Sequence, residues 1–338
     1  MTKQRQITLK DIAQKLDISV STVSRALRND SAVNAHTKKA ISRMAKQLNF
    51  EINQVAQSLH KKKTKALGVI VPNLTNNYFA ASISGIQDMA AKKGYNVIIC
   101  QSNESYEKEV NILRTLANGR VDGLLISLSR ETNNYDHLQK VLYRGIPLVL
   151  FDRICNEIPV SKIVVNDYDG AFKATEHLIQ LGRSRIAHIA GPEHLSISKD
   201  RLNGYRDALQ KYGMNVEQEL IRYSSSYEQG AVEQTNELLN LPSPPDAIFA
   251  VDDPAAIQAM MVMKERGIKI PEEVAIIGFS NDPNSAHTQP TLSTVAQPAY
   301  EIGQIATKHI LDQIHQPENS ISQTITLNTE LVLRNSSK

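Results

Sequence analysis

Apolar positions recur along this chain with two different periods. In the first fifty residues they fall three and four apart: Ile12, Ala13 and Leu16, then Val23, Ala26 and Leu27, then Ile41, Met44, Ala45 and Leu48. That spacing lines one face of an α-helix. Thr8, followed three positions later by Asp11, predicts a capped start for the first helix. Asp17-Ile18 predicts a turn, and Ser19 caps a second helix over Val20 to Leu27. A third helix is expected from near Asn34 to about Asn49. Three short amphipathic helices are enough to close a small core.

From Ala66 the apolar residues come instead in short unbroken runs, the mark of strands buried on both faces. Leu67 to Pro72, Tyr95 to Cys100, Val121 to Ser127 and Pro147 to Phe151 read as strands. Helices are expected between them at Phe79 to Lys93, Ser105 to Asn118 and Tyr135 to Tyr143. The alternation restarts with strands Arg185 to Ala190, Ala247 to Val251 and Val274 to Gly278. Here the helices are Leu202 to Tyr212, Ala231 to Leu239 and Pro254 to Arg266. Strand–helix alternation at this spacing predicts parallel sheets covered on both faces. Two such halves in succession predict two sub-domains with a cleft between them. Open α/β sheets hold ligands beyond the carboxyl ends of their strands. Those ends carry Asn73 with Tyr78-Phe79, Asp152-Arg153, Asp252-Asp253 and Ser280-Asn281.

Charge divides the chain in the same place. Residues 1–65 hold 14 Lys and Arg against 4 Asp and Glu, a net +10, while residues 66–338 hold 24 against 31, a net −7. A small basic end can meet a polyanion while a mildly acidic body does something else. No run of about 18 apolar residues is present, so no membrane span is expected. Met1 to Gln6 lacks the apolar core of a secretory signal, and a cytoplasmic location is expected. Cys100 and Cys155 match no metal-ligand spacing and read as buried free thiols. The nine histidines form no close metal pair. No glycine-rich dinucleotide or phosphate loop follows a strand, and no Gly-x-Ser-x-Gly elbow is present. An enzyme is therefore disfavoured, and no cofactor is expected. His188 reads as a hydrogen-bonded core residue, and Asp122-Gly123 as a turn entering a strand.

The outward face of the second helix holds Ser21, Thr22 and Arg25 beside Val20. A guanidinium reads guanine, a hydroxyl several bases, and an apolar group the thymine methyl, so this face suits a DNA major groove. Asn53 to Leu59 follows, with Val55, Ala56 and Leu59 on one face. Two turns of helix are not stable alone in water. The stretch is therefore either a plain linker or a segment that folds on DNA, with Leu59 as a wedge in the minor groove.

The motifs Thr8-Leu-Lys-Asp-Ile-Ala13 and Ser19-Val-Ser-Thr-Val-Ser-Arg25 resemble the lactose-repressor (LacI) family of bacterial transcription regulators. So do Val121-Asp-Gly123, Phe151-Asp-Arg153, Thr175-Glu-His-Leu178, Arg201-Leu-Asn-Gly-Tyr205 and Pro245-Asp-Ala-Ile-Phe249. Pro271-Glu-Glu-Val274, Ile277-Gly-Phe279 and Thr294-Val-Ala-Gln-Pro298 complete the series. The resemblance implies a small all-α helix–turn–helix headpiece over residues 1–52 and a hinge over 53–65. The body, 66–338, would be two Rossmann-like sub-domains of the periplasmic-binding-protein type. It also implies a homodimer on a pseudo-palindromic double-stranded operator, with a small-molecule effector, most readily a sugar, controlling repression. By resemblance, DNA contacts fall to Thr8, Ser19, Val20, Ser21, Thr22, Ser24, Arg25 and Arg28. The hinge adds Asn53, Val55, Ala56, Gln57 and the lever residue Leu59. The effector cleft would hold Tyr78 and Phe79 as an aromatic wall, with Asp152, Arg153, Arg201, Tyr227, Asp252 and Ser280. A cytoplasmic sugar-binding protein without specific DNA recognition is the other reading.

Three departures stand out. Ile52 replaces the usual proline before the hinge, Ser280-Asn281 replaces a pair of aspartates, and Asp252 stands where asparagine is usual. The tail from Glu330 to Lys338 has no leucine heptads, so a tetramer built on a tail helix is not expected.

Overall fold

A computed structural model describes residues 7–48, 50, 64–223, 230–319 and 321–338. The chain divides into two compact units, residues 1–64 and 65–338.

In the first unit the helices are α1 (Leu9–Leu16), α2 (Val20–Leu27) and α3 (Ala35–Gln47). Side chains start each one. The Thr8 N–H donates to Asp11 Oδ2 at 2.7 Å, the Thr22 N–H to Ser19 Oγ at 3.1 Å, and the Thr37 N–H to Asn34 Oδ1 at 2.8 Å. Each bond satisfies a donor that a helix start or its flank leaves without an intrahelical partner. Asp17 ends α1 in the left-handed region, at φ 52°, which lets the chain reverse tightly into α2. Ile12, Ala13, Val23, Ala26, Ile41 and Ala45 are buried together, with Leu16, Leu27, Met44 and Leu48 packed around them. These are the helical stripes expected from the sequence.

The second unit contains two parallel sheets. The first has the order β11-β5-β4-β3-β1-β2, built from β1 (Ala66–Val71), β2 (Asn96–Gln101), β3 (Gly123–Ile126), β4 (Leu148–Phe151), β5 (Ser161–Val165) and β11 (Thr324–Leu327). The second has the order β7-β6-β8-β9, from β6 (Ile186–Ala190), β7 (Ile221–Tyr223), β8 (Ala247–Ala250) and β9 (Ala275–Ile277). A short antiparallel pair, β10 (Thr294–Ala296) with β12 (Glu330–Val332), lies beside the second sheet.

Each strand splits its residues between two layers, because successive side chains point to opposite faces. In β1, Leu67, Val69 and Val71 pack against α4 (Asn77–Lys92) and α11 (Ala299–His315). Ile70 packs on the other side with α5 (Tyr106–Ala117) and α6 (Asp136–Tyr143). The second sheet is covered in the same way. Helices α7 (Asp167–Gln180) and α8 (Ser196–Lys211) lie on one face. Helices α9 (Gly230–Leu239) and α10 (Asp253–Glu265) lie on the other.

The sequence reading of two consecutive halves needs correction. The chain leaves the first sheet after β5 and builds the second, then returns after β10 to add α11 and β11 to the first. It then crosses once more, to β12. Three strands of chain therefore connect the halves. The sequence reading also missed β5, α7, β7, β10, α11, β11 and β12, and it started α8 six residues too late. Cys155 is buried, and burial pushes its thiol up to about 11, but Cys100 is only half-buried on edge strand β2.

Candidate functional site

In the headpiece, burial of Val23 and Ala26 fixes which face of α2 turns outward. Val20 is 43% exposed, an unusual place for an apolar side chain, and Ser21 and Arg25 are exposed beside it. The Ser19 hydroxyl bonds to those of Ser21 and Thr22, both at 2.8 Å, so cap and outward face share one hydroxyl cluster. Arg28 reaches back to the hydroxyl and carbonyl of Ser24, one turn earlier. Thr8 bonds Asp11 through its hydroxyl as well as its N–H. Asn53, Val55, Ala56, Gln57 and Leu59 lie outside the described residues, as do Ile52 and, in the body, Tyr227.

In the body, the carboxyl ends of the two sheets bring the remaining residues together. Tyr78 and Phe79 lie on the first turn of α4, which Asn76 caps, and their rings meet edge to face at 5.4 Å. The Tyr78 hydroxyl is buried without a hydrogen-bond partner. Burial, then the nearby carboxylates of Asp152 and Asp167, hold its phenol well above the usual range. Asp152 follows β4 with φ 60° and accepts a bond from the Ser127 hydroxyl at 3.1 Å. Burial raises its carboxyl, opposed by the guanidinium groups of Arg153 and Arg201. Arg153 donates from Nη1 to Glu104 Oε2 at 2.7 Å, and its guanidinium lies 6.0 Å from the Phe79 ring.

Arg201 is the most enclosed of these groups. It sits inside α8, because that helix begins at Ser196. Its Nε and Nη2 lie 2.8 and 2.7 Å from Asp167 Oδ1, and its Nη1 donates to the Val251 carbonyl at 2.6 Å. Its guanidinium stacks on Phe279 at 3.7 Å, a cation–π contact in a dry setting. Burial pushes the Asp167 carboxyl up to about 6 despite that pairing.

Asp252 and Ser280 also make contacts of their own within the fold. The Asp252 carboxylate caps α10, accepting the Ala255 N–H at 2.8 Å, so part of its acceptor capacity serves its own helix. Ser280 has φ 114° and ties its N–H to the Val295 carbonyl at 2.8 Å. Asn281 accepts a bond from Arg334 Nη2 at 2.7 Å instead of offering a second acid at this strand end. Burial raises the Asp252 carboxyl, opposed first by the Ala255 N–H and then by the guanidinium groups of Arg201, Arg153 and Arg130. Arg153 and Arg130 belong to the first half and Asp252 to the second, so the two halves face one another electrostatically.

Sequence reasoning missed Glu104, Arg130, Asp167 and Phe279 as members of this cluster. Phe279 lay inside a quoted motif, and Asn166-Asp167 follows an apolar run, Ile163-Val164-Val165, that marks a strand end. Nothing local singles out Glu104. His188 and Asp122 serve the fold. His188 is buried in β6, stacked on Phe249 at 4.8 Å and Tyr205 at 5.2 Å, and its Nδ1 donates to the Phe249 carbonyl at 2.9 Å. Asp122 accepts the Lys65 N–H at 3.0 Å at the turn into β3.

Residues 64–332 match the family described as periplasmic binding proteins and sugar binding domain of LacI family, and residues 8–53 match bacterial regulatory proteins, lacI family. The chain belongs to the LacI family. It is a helix–turn–helix transcriptional regulator with that family's sugar-binding type of body. The transcriptional repressor CytR of Escherichia coli K12 is 32% identical to this LacI-family chain over 332 residues, covering 98% of it and 96% of CytR. A solved complex of the transcriptional regulator CelR with cellobiose is 27% identical, with TM-score 0.75 over 98% of this chain and 100% of CelR. The lac repressor dimer bound to operator and the anti-inducer ONPF shares the fold at TM-score 0.87 and 24% identity, covering 98% and 99% of the two chains. Among the described residues, no helix is long and apolar enough to cross a membrane.

Proposed function

We propose that this LacI-family regulator is a repressor that binds a pseudo-palindromic operator as a homodimer and changes its grip when a small molecule enters the body's cleft. The outward face of α2, with Val20, Ser21, Thr22 and Arg25, reads base edges. Thr8, Ser19, Ser24 and Arg28 steady the headpiece at the DNA backbone. Residues 53–65 form the hinge, with Leu59 as the wedge. The cleft is served by Tyr78, Phe79, Asp152, Arg153, Arg201, Asp252 and Ser280, with Tyr227 added by the resemblance. Acting on operator DNA, the protein works in the cytoplasm.

One observation supports this reading above the rest: the cleft's charged side chains come from both halves and interact with one another. A molecule seated among them binds one relative position of the halves better than another, and only such differential binding can shift an equilibrium. Coupling of this kind commonly amounts to about 1–3 kcal/mol. The relatives named above are regulators, and we assign the cleft to binding without turnover.

The test is selection of operators from random DNA, followed by a salt titration. Specific binding that neutralises several phosphates gives a steep negative slope of log affinity against log salt. Arg25→Ala should cost about 1–3 kcal/mol on the selected operator, with little change on random DNA. A flat salt response, or equal losses on both DNAs, would remove the headpiece from operator recognition.

A further inference from the structure

Every arginine that faces the cleft already has an acid. Arg201 spends two nitrogens on Asp167 and a third on the Val251 carbonyl. Arg153 holds Glu104 Oε2 at 2.7 Å, and Arg130 Nη2 lies 3.9 Å from the other oxygen of the same carboxylate. Glu104 also accepts the Arg130 N–H at 2.8 Å, so one side chain both neutralises and positions two guanidinium groups. Asp152 lies near Arg153 and Arg201, and Asp252 near all three arginines. Counted as side chains, four acids meet three bases.

This balance bears on ligand chemistry. A phosphate or carboxylate brought out of water needs a cation whose charge is not already spent. Drawing Arg153 or Arg201 toward such a ligand would take the partner from part-buried Glu104 or from buried Asp167, and the loss is most unfavourable for the buried acid. Hydroxyl groups meet the opposite situation. They donate to carboxylate oxygens of Asp152 and Asp252, and they can receive the unpartnered hydroxyl of Tyr78. The rings of Tyr78 and Phe79 beside them suit the C–H face of such a molecule. Asn76, Asn166 and Asp252 already cap the starts of α4, α7 and α10 with their own side chains, which leaves those three helix starts less open to an anion.

We propose that Glu104 and Asp167 are specificity-determining residues that reserve the cleft for an electrically neutral, hydroxyl-rich effector and reject its phosphate ester. The inference rests on the reading of this cleft as the effector site.

The experiment is calorimetric titration of the full-length protein with inorganic phosphate and with matched pairs: ribose and ribose 5-phosphate, glucose and glucose 6-phosphate, cytidine and cytidine 5′-monophosphate. The wild type should bind neither phosphate nor a phosphorylated member more tightly than its neutral partner. Glu104→Gln keeps an acceptor for the Arg130 N–H but releases Arg153, and it should bind phosphate at least about tenfold more tightly than wild type. The gain should vanish when Arg153→Gln is added. Asp167→Asn should act in the same direction through Arg201, and Glu104→Gln decides the matter if that buried variant fails to fold. A phosphorylated member that outbinds its neutral partner on wild type overturns the proposal. So does a Glu104→Gln protein whose phosphate affinity stays at the wild-type level. Operator binding is measured on the same samples. A phosphorylated ligand that alters operator affinity sinks the charge filter and leaves the regulator intact, whereas loss of operator binding in every sample indicts the regulator.

Discussion

His188 shows how a residue suspected of chemistry turns out to be packing. Burial between two aromatic rings lowers its imidazole to about 4, so it is neutral throughout the physiological range. Its unfolded value is about 6.5, so between pH 6.5 and 4 the unfolded chain binds a proton that the folded one does not. Stability therefore falls as pH drops through that window. Comparing thermal unfolding of wild type and His188→Gln, the contribution lost at pH 4.5 relative to pH 7.5 should be about 2–3 kcal/mol. Asp167 and Asp253 have the opposite sign. Burial lifts their carboxyls to about 6 and about 7, so the folded state holds protons that the unfolded state releases, and their contribution declines as pH rises from about 4. Arg201 belongs to this scale too. Arg201→Ala leaves the Asp167 charge buried, and denaturant unfolding should show a loss of about 3–5 kcal/mol. Much of that loss should return when Asp167→Leu is added, because replacing both charges removes the stranded acid. The sequence exposed Arg201 through the motif Arg201-Leu-Asn-Gly-Tyr205, but its partner lies 34 positions away on another helix, where no local pattern reveals it.

At the scale of elements, most of the helices were legible because amphipathic spacing and capping residues are local properties. Ser19→Ala should cost the headpiece about 1 kcal/mol, read from its thermal unfolding, since the Thr22 N–H then has no cap. Strands were legible as apolar runs, though β11, with its alternating exposure, did not present one. How elements approach one another was less visible. Helices α4 and α11 meet through glycines: a Cβ at Gly303 would lie 2.0 Å from the Ser82 carbonyl oxygen, and one at Gly85 equally close to that of Tyr300. Gly303→Ala must push two backbones apart and should destabilise the body by about 2 kcal/mol or more, measured by denaturant unfolding. In the sequence these glycines look like ordinary weak points in a helix. Only the neighbour that crosses there explains them.

At the scale of the molecule, hydrogen bonds among the described residues join the two halves of the body. Asn77 Nδ2, at the start of α4, donates to Asp282 Oδ2 at 2.7 Å, and His194 Nε2 donates to the Arg130 carbonyl. The turn bearing Asp282 is itself anchored, for Asp253 Oδ2 accepts the Asp282 N–H at 2.6 Å and Asp253 Oδ1 the Thr294 hydroxyl at 2.6 Å. The Asn77 and His194 bonds tie the first half to the second in the arrangement seen here. Asn77→Ala should weaken that arrangement by about 1 kcal/mol, a roughly fivefold loss of effector affinity. Faster hydrogen exchange in the first turn of α4 should accompany it. Unchanged affinity and exchange would show that the bond does not help hold the halves.

The sequence by itself determined the kind of molecule this is: a basic helical headpiece, a strand–helix body, and the outward polar face of α2. All of these follow from periodicity, capping and charge within a few turns of chain. The tertiary structure alone decided that the two halves are interleaved and that Glu104 and Asp167 answer the cleft's arginines. It also set Asp252 to cap a helix and Asn281 to turn toward Arg334. Such pairings join residues dozens to hundreds of positions apart. They are chosen when burial strips water from a charge and compels it to find a partner, wherever in the sequence that partner lies.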